Sequence, residues 1–573
     1  MQMNSDFGIP TGSVVRLPDN NATKHTFAVV LDHLDDGELY VAHCLPATDS
    51  TFILDATVST KTFGHPLGIS LFETSILKAQ DLIKVGSLDQ SILSEYFRQK
   101  TLLETRCFSR ITHSRFSPFQ ASRDISFKPG ITPVPYSGRV FGEDEVCGAV
   151  DSCLDFWLTL GQKGLHFERS LAKKLGVKHS ILTNSGSSAN LLAVSALTSH
   201  KIPMEKRILP GDEIITCAAG FPTTVAPIIQ NHAIPVLIDC DPVTGNPDFS
   251  LLEEAYKKGK TKAVIFAHTL GNPYDLCKLK NFCATNDLWM IEDNCDALGS
   301  RYIYEEQGAF HDRQTGTFGD LSTQSFYPPH HITMGEGGSV NIVTKHFLKS
   351  IVESFRDWGR DCWCPSGIDN TCKKRYEWKL GDLPLGYDHK YIYSHLGYNL
   401  KPLDLQAAIG QVQLGRLPEF TESRIRNWDY LRKGLDDLGG FFEFALPTHA
   451  SGWTPDGFTW KHHPKCAKSL PSWFGFTILV RPEAPFSKVD FTKALDNAKI
   501  GNRGLFGGNL ARQPAFHELK RTNPTAFRTV GNLHGADRIM NECVFIGVYP
   551  GLTTEMLDYV IDVIHQFCHI VGS

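Results

Sequence analysis

Residues 325–338 read Ser325-Phe326-Tyr327-Pro328-Pro329-His330-His331-Ile332-Thr333-Met334-Gly335-Glu336-Gly337-Gly338. Short apolar, β-prone runs flank this stretch, Ser322–Phe326 before it and Ser339–Val343 after it. Upstream the same kind of run recurs at Ser180–Thr183, Glu213–Cys217, Pro235–Asp239, Ala263–His268 and Leu288–Glu292. Helical patterns separate the earlier runs: Leu165–Leu175, closed by Gly176, and Ala189–Leu197. Strands alternating with helices predict an α/β fold, a mostly parallel seven-stranded sheet between helices. Such a sheet binds ligands beyond the carboxyl ends of its strands, so the chemistry is expected there.

Further from this core the pattern changes. From about residue 400 a helical region, Leu403–Leu417 and then Glu422–Leu438, precedes mixed segments. It predicts a smaller C-terminal α+β domain over 401–573, after a large domain over 101–400. Residues 1–100 carry β-like runs, Ser13–Leu17, Thr26–Leu31 and Leu39–His43, separated by turn signals such as Asp35-Asp36-Gly37. They predict a small antiparallel, barrel-like extension, followed by a helix over about Ser87 to Glu104. The 573 residues are 42% hydrophobic and 21% charged with a net charge of −5. That is a globular composition with no basic field for nucleic acid or an anionic membrane. No apolar run approaches the roughly 18 residues of a membrane span. The N-terminus lacks the basic start and apolar core of an export signal, so a cytoplasmic protein is expected. The 15 cysteines then argue against a disulfide framework. Only Cys362, Cys364 and Cys372 crowd together.

Three constellations carry chemistry. The first is Asn184-Ser185-Gly186-Ser187-Ser188-Ala189-Asn190, at a strand-to-helix junction. Free N–H groups at a helix start, a glycine that permits close approach and nearby hydroxyls make a phosphate cradle; an ordinary serine helix cap reads the same way. The second is Ile291-Glu292-Asp293-Asn294-Cys295-Asp296, at the end of an apolar strand. A carboxylate there suits the protonated nitrogen of a pyridine ring, or simply caps the next turn. The third is the stretch quoted first.

In this order and spacing, the three constellations resemble the DegT/DnrJ/EryC1/StrS family of sugar aminotransferases. Those are fold type I pyridoxal-phosphate enzymes whose third motif runs Ser-Phe-x-Pro-x-Lys, then four residues, then Gly-Glu-Gly-Gly. The resemblance spans about Ile125 to the C-terminus. It implies that Asp293 partners the ring nitrogen and that Gly186, Ser187 and Ser325 bind the phosphate. It further implies that Phe221 stacks on the ring and that Asn399 reaches the phosphate of a neighbouring subunit, hence a homodimer with shared sites. Trp473–Phe476, Arg503–Leu510 and Val548–Leu552 are expected to line the sugar-nucleotide pocket.

The family's lysine, which holds the cofactor covalently, falls on His330, and no lysine occurs between Asp293 and Lys345. Imidazole, with an ordinary pKa near 6.5, suits proton movement at neutral pH. The histidine resembles that of the 3-dehydrases of 4-keto-6-deoxy sugar nucleotides, which act through pyridoxamine 5'-phosphate. One type there needs no metal. The other, exemplified on CDP-4-keto-6-deoxy-D-glucose, carries a 2Fe-2S cluster fed by a separate reductase. The spacing of Cys362, Cys364 and Cys372, with Cys295 as a fourth ligand, resembles the second type. Structural zinc and free thiols are the alternatives. The polar stretch 304–316 is read as a surface insertion that lengthens the gap between Cys295 and Cys362. The resemblance implies a C3 dehydration with His330 as base, and with Asp296 and Tyr327 orienting it or shaping the sugar site. A cluster-free dehydratase, a conventional aminotransferase and a non-catalytic sugar-nucleotide sensor are the other readings.

Overall fold

The computed structural model describes residues 127–461 and 467–572, together with six strands between positions 13 and 87. The chain forms two compact units, Met1–Asp124 and Ile125–Ser573. The first holds β1 (Ser13–Arg16), β2 (Phe27–His33), β3 (Glu38–Pro46), β4 (Thr51–Ile53), β5 (Leu67–Lys78) and β6 (Ile83–Ser87). They form one antiparallel sheet in the order β4-β5-β3-β2-β1-β6. The helix expected over 87–104 lies outside the described residues.

The second unit is built on β7 (His179–Thr183), β8 (Glu213–Cys217), β9 (Ile234–Ile238), β10 (Thr261–Ala267) and β11 (Trp289–Asp293). After β11 come β12 (Arg301–Glu306), β13 (Ala309–Gln314), β14 (Leu321–Ser325) and β15 (Gly338–Ile342). The central sheet has eight strands, one more than expected, because the short strand Arg528–Thr529 pairs in parallel beside β9. From that edge the order is β9, β8, β10, β11, β14, β15, β7, and only the last two joins are antiparallel. Alternation along β10 shows why the sheet is covered twice. Val264 and Phe266 pack with Leu276 and Leu279 on one face, whereas Ala263 and Ile265 pack with Leu192 and Phe355 on the other.

Helices α1 (Glu143–Leu154), α2 (Gln162–Leu175), α3 (Gly186–Ala196), α4 (Pro222–Gln230) and α5 (Leu348–Arg356) precede α6 (Asp404–Gly434). The break expected after Leu417 is absent: α6 runs 31 residues with Pro418 inside it. A proline there removes one helical hydrogen bond and costs about 3 kcal/mol. Burial outweighs that, because Leu414, Leu417 and Phe420 enter one core while Trp428 and Leu431 enter a second. The second core lies under a four-stranded antiparallel sheet that includes Gly475–Val480 and Cys543–Gly547.

The 304–316 stretch, read as a surface insertion, is ordered β structure. It belongs to a hairpin of β12 and β13, turned at Gln307-Gly308 with both φ angles positive. Its outer strand is largely exposed, but Tyr302 and Tyr304 are buried in the core. Among the described residues, no helix is long and apolar enough to cross a membrane.

Candidate active site

Three strand ends and two helix starts, those of α3 and α4, converge on a cavity of about 570 Å³. At α3, the Ser185 hydroxyl accepts from the N–H of Ser188 at 3.1 Å, which caps the helix. The preceding N–H groups remain to face an anion. A methyl group at Gly186 would lie 2.5 Å from Ser325 Cβ and 3.0 Å from Cys295 Sγ. Only glycine lets α3 start this close to the ends of β11 and β14. Gly338 meets the Ser185 backbone in the same way. Ser187 opens onto the cavity and donates to Thr223 Oγ1 at 3.0 Å.

Asp293, the last residue of β11, is buried with partners on both oxygens: Oδ1 accepts from the Cys295 N–H at 3.3 Å and lies 3.5 Å from Thr323 Oγ1. Its Oδ2 accepts from Asn190 Nδ2 at 2.8 Å and from Thr224 Oγ1 at 2.7 Å. Thr323 Oγ1 donates to Asn190 Oδ1 at 2.7 Å and fixes that amide in turn. The carboxylate is therefore held in one orientation, and it lines the cavity. Sequence reading did not pick out Asn190, Thr224 or Thr323 in this role. Asn190 lay inside a quoted motif, but nothing in its spacing marks the partnership.

His330 and Asp296 face each other, with Nδ1 to Oδ1 at 3.4 Å. Burial, aided by the nearby Arg424 charge, pushes the imidazole down to about 4. Burial, aided by Asp293, pushes the Asp296 carboxyl up to about 8. The separation would allow an ion pair, yet desolvation opposes charge on both groups, and at pH 7 the pair is neutral. A neutral imidazole can accept a proton. The His330 ring lies 5.3 Å from that of Phe474 and 6.5 Å from that of Tyr327, which is half exposed at the cavity. Phe221 also lines it, half exposed and edge-on to Phe506 at 5.9 Å.

Among the described residues no lysine lines the cavity, and Arg503 is its one Lys or Arg side chain. Phe474 and Phe506 line it as expected, but Val548–Leu552 does not. Val548, Tyr549 and Leu552 are apolar and are drawn into the second core. Asn399 stands outside this cavity, exposed, accepting from Lys401 Nζ at 3.2 Å.

The cysteines do not converge on one centre. Cys362, Cys364 and Cys372 gather in one loop, where the Cys364 N–H donates to Cys362 Sγ at 3.5 Å. Thr371 meets Cys364 Sγ through its N–H at 3.4 Å and its hydroxyl at 3.0 Å. Burial raises the Cys364 thiol, but these bonds outweigh it and leave the thiol below its ordinary value. Cys295 instead packs against Gly186, and burial and Asp293 hold its thiol well above the ordinary value. Among the described residues, no group of three or more His, Cys, Asp or Glu side chains is arranged to hold a metal. The site as built thus fits a phosphorylated pyridine cofactor, by its glycine-dependent cradle and its aimed carboxylate. A 2Fe-2S cluster is not evidenced by the arrangement of the described cysteines.

Comparison with known proteins agrees with the cofactor fit. The DegT/DnrJ/EryC1/StrS aminotransferase family model matches residues 142–565. The lipopolysaccharide biosynthesis protein RfbH of Salmonella typhimurium is 50% identical over 450 residues, covering 78% of this chain and 95% of that protein. The dTDP-4-dehydro-2,6-dideoxy-D-glucose 3-dehydratase of Saccharopolyspora spinosa is 43% identical over 442 residues, 77% of this chain and 88% of that one. Among solved structures, a histidine-to-asparagine mutant of GDP-4-keto-6-deoxymannose-3-dehydratase with bound GDP-perosamine is similar. It has a TM-score of 0.61 at 25% identity, covering 75% of this chain and 99% of its own.

Proposed function

The chain belongs to the DegT/DnrJ/EryC1/StrS aminotransferase family, and from that premise we propose that it removes the C3 hydroxyl of a nucleotide-linked 4-keto-6-deoxyhexose, using pyridoxamine 5'-phosphate. Its architecture is that of the fold type I pyridoxal-phosphate enzymes. The observation that carries the reading is His330, standing where the family's lysine stands, in a cavity that no lysine lines among the described residues. Two relatives named as 3-dehydratases support it.

Gly186, Ser187 and Ser325 would hold the cofactor phosphate, Asp293 its ring nitrogen, and Phe221 one face of its ring. When bound, the cofactor supplies an amine that condenses with the C4 ketone and a ring that takes up an electron pair. Asn190 and Thr224 keep Asp293 aimed, so its charge favours a protonated ring nitrogen. His330, neutral at pH 7, removes a proton beside the cofactor amine. Asp296, protonated at pH 7 with Oδ1 3.4 Å from Nδ1, is placed to return a proton to the imidazole. The protonated imidazole then gives a proton to the departing C3 hydroxyl, which leaves as water. Tyr327 and Phe474 shape the sugar side and exclude water. In a homodimer, Asn399 of one copy would complete the phosphate site of the other.

The test is product analysis with His330→Lys and His330→Asn. Both are expected to lose dehydration; a His330→Lys protein with full dehydrase activity overturns the role of His330.

A second reading couples the dehydration to a reductase through a 2Fe-2S cluster on Cys295, Cys362, Cys364 and Cys372. The crowding of three cysteines in one loop favours it, and the place of Cys295 beside Gly186 does not. No step above runs through such a cluster. Iron and sulfide analysis of anaerobically purified protein decides: about two irons per chain that respond to dithionite establish it, and protein holding only the pyridine cofactor excludes it.

A further inference from the structure

Directly behind the His330 turn stands a buried arginine. Arg424, on α6, is 2% exposed; among the described residues no carboxylate comes within ion-pair distance of it, and the Asp296 carboxyl acts on it from further off. Its fork is divided between two segments. Nη1 donates to the carbonyls of Trp473 at 3.2 Å and Phe474 at 3.3 Å. Nη2 donates to those of Pro329 at 3.2 Å and His330 at 3.1 Å. The adjacent His331 adds a parallel tie, its Nε2 2.7 Å from the Ser472 carbonyl oxygen. The two stapled segments present the rings of His330 and Phe474, 5.3 Å apart, to the cavity.

Burying an unpaired cation is costly, and an apolar side chain would fill the same space without that cost. What only a guanidinium supplies is a rigid planar fork that holds four carbonyls at once, whereas an ammonium is a compact point charge. We infer that Arg424 is a positioning residue, fixing the spacing between the His330 turn and the Phe474 wall and thereby the reach of the imidazole into the cavity. The inference rests on the reading of His330 as the group that moves the proton.

Two substitutions separate the fork from mere filling. Arg424→Lys keeps the charge and loses the fork, while Arg424→Gln keeps a pair of donors without the charge. The first readout needs no substrate. Full-length protein loaded with pyridoxamine 5'-phosphate is treated with diethyl pyrocarbonate, and modification of His330 is followed by peptide mass spectrometry. Exposed His517 serves as the internal reference. In both variants His330 is expected to react several-fold faster relative to His517. The second readout is turnover of CDP-, dTDP- and GDP-linked 4-keto-6-deoxyhexoses. There kcat should fall on the order of 10- to 100-fold with KM nearly unchanged, the signature of a misplaced group rather than lost binding. Wild-type His330 reactivity or wild-type kcat in a folded variant overturns the inference. If near-ultraviolet circular dichroism shows that neither variant folds, Arg424 is a folding determinant and the inference is overturned as well. Wild-type protein that holds the cofactor yet turns over none of these sugars defeats the proposed function instead, and the His330 reactivity still decides the positioning role.

Discussion

His330 Nδ1 and Asp296 Oδ1 sit 3.4 Å apart in a pocket whose burial disfavours charge on both. The pH dependence follows from the two directions. Below about 4 the imidazole is protonated and can no longer act as a base. Above about 8 Asp296 ionises and no longer holds a proton to return to His330. The profile of kcat/KM should therefore be a bell with limbs near those values, and Asp296→Asn should remove the alkaline limb. Stability is linked with a definite sign. Native Asp296 keeps a proton that the unfolded chain has released above its ordinary value, so its contribution is lost as pH rises through about 8. The melting temperature of Asp296→Asn should accordingly change less than that of wild type between about pH 6.5 and pH 8, where His330 is neutral in both states. A wild-type profile flat through this range would contradict the assignment. His330→Asn should cost on the order of 10²- to 10⁴-fold in kcat while the protein still retains cofactor, as read by its absorbance. At this scale, the residues legible in the sequence were those whose motif order carries meaning, Asp293 and His330 among them. Asn190, Thr224, Thr323 and Arg424 were not legible. Their partners lie far away along the chain, and a hydrogen bond between distant side chains leaves no spacing to read.

The start of α3 shows how an element, rather than a side chain, makes the phosphate site. Gly186 is packed so closely on Ser325 and Cys295 that a single methyl would push the helix start away from the strand ends. Gly186→Ala is expected to destabilise the protein by about 1–3 kcal/mol and to weaken pyridoxamine 5'-phosphate binding more than tenfold, measured by fluorescence titration. Unchanged affinity would show that the cradle tolerates displacement. The strands were legible from short apolar runs, with ends displaced by a residue or two. Helix α6 was harder, because Pro418 is a local stop signal and the packing that overrides it comes from two cores distant in sequence. The β12–β13 hairpin was legible only as a polar surface insertion, because its outer strand hides the buried Tyr302 and Tyr304 of its inner one.

On the scale of the whole molecule, the chain parts at Asp124, and the family match begins at residue 142. A protein lacking residues 1–124 should fold cooperatively and keep its cofactor, with kcat within about twofold of the full chain on the turnover assay. A large loss would tie the N-terminal sheet to the chemistry. The sheet order, the cavity at the strand ends and the absence of a lysine from its described lining all bear on one claim, that this site deoxygenates a sugar rather than aminating it. The most direct test is mass spectrometry of the nucleotide sugar released when protein loaded with pyridoxamine 5'-phosphate meets a nucleotide-linked 4-keto-6-deoxyhexose. The expected product is lighter by one oxygen, its electron pair supplied by the cofactor's aminomethyl carbon, which would end as the aldehyde with its nitrogen released as ammonia; no nitrogen is gained on the sugar, and His330→Asn should give no such product. An amino sugar, its ketone oxygen replaced by nitrogen, would contradict the claim.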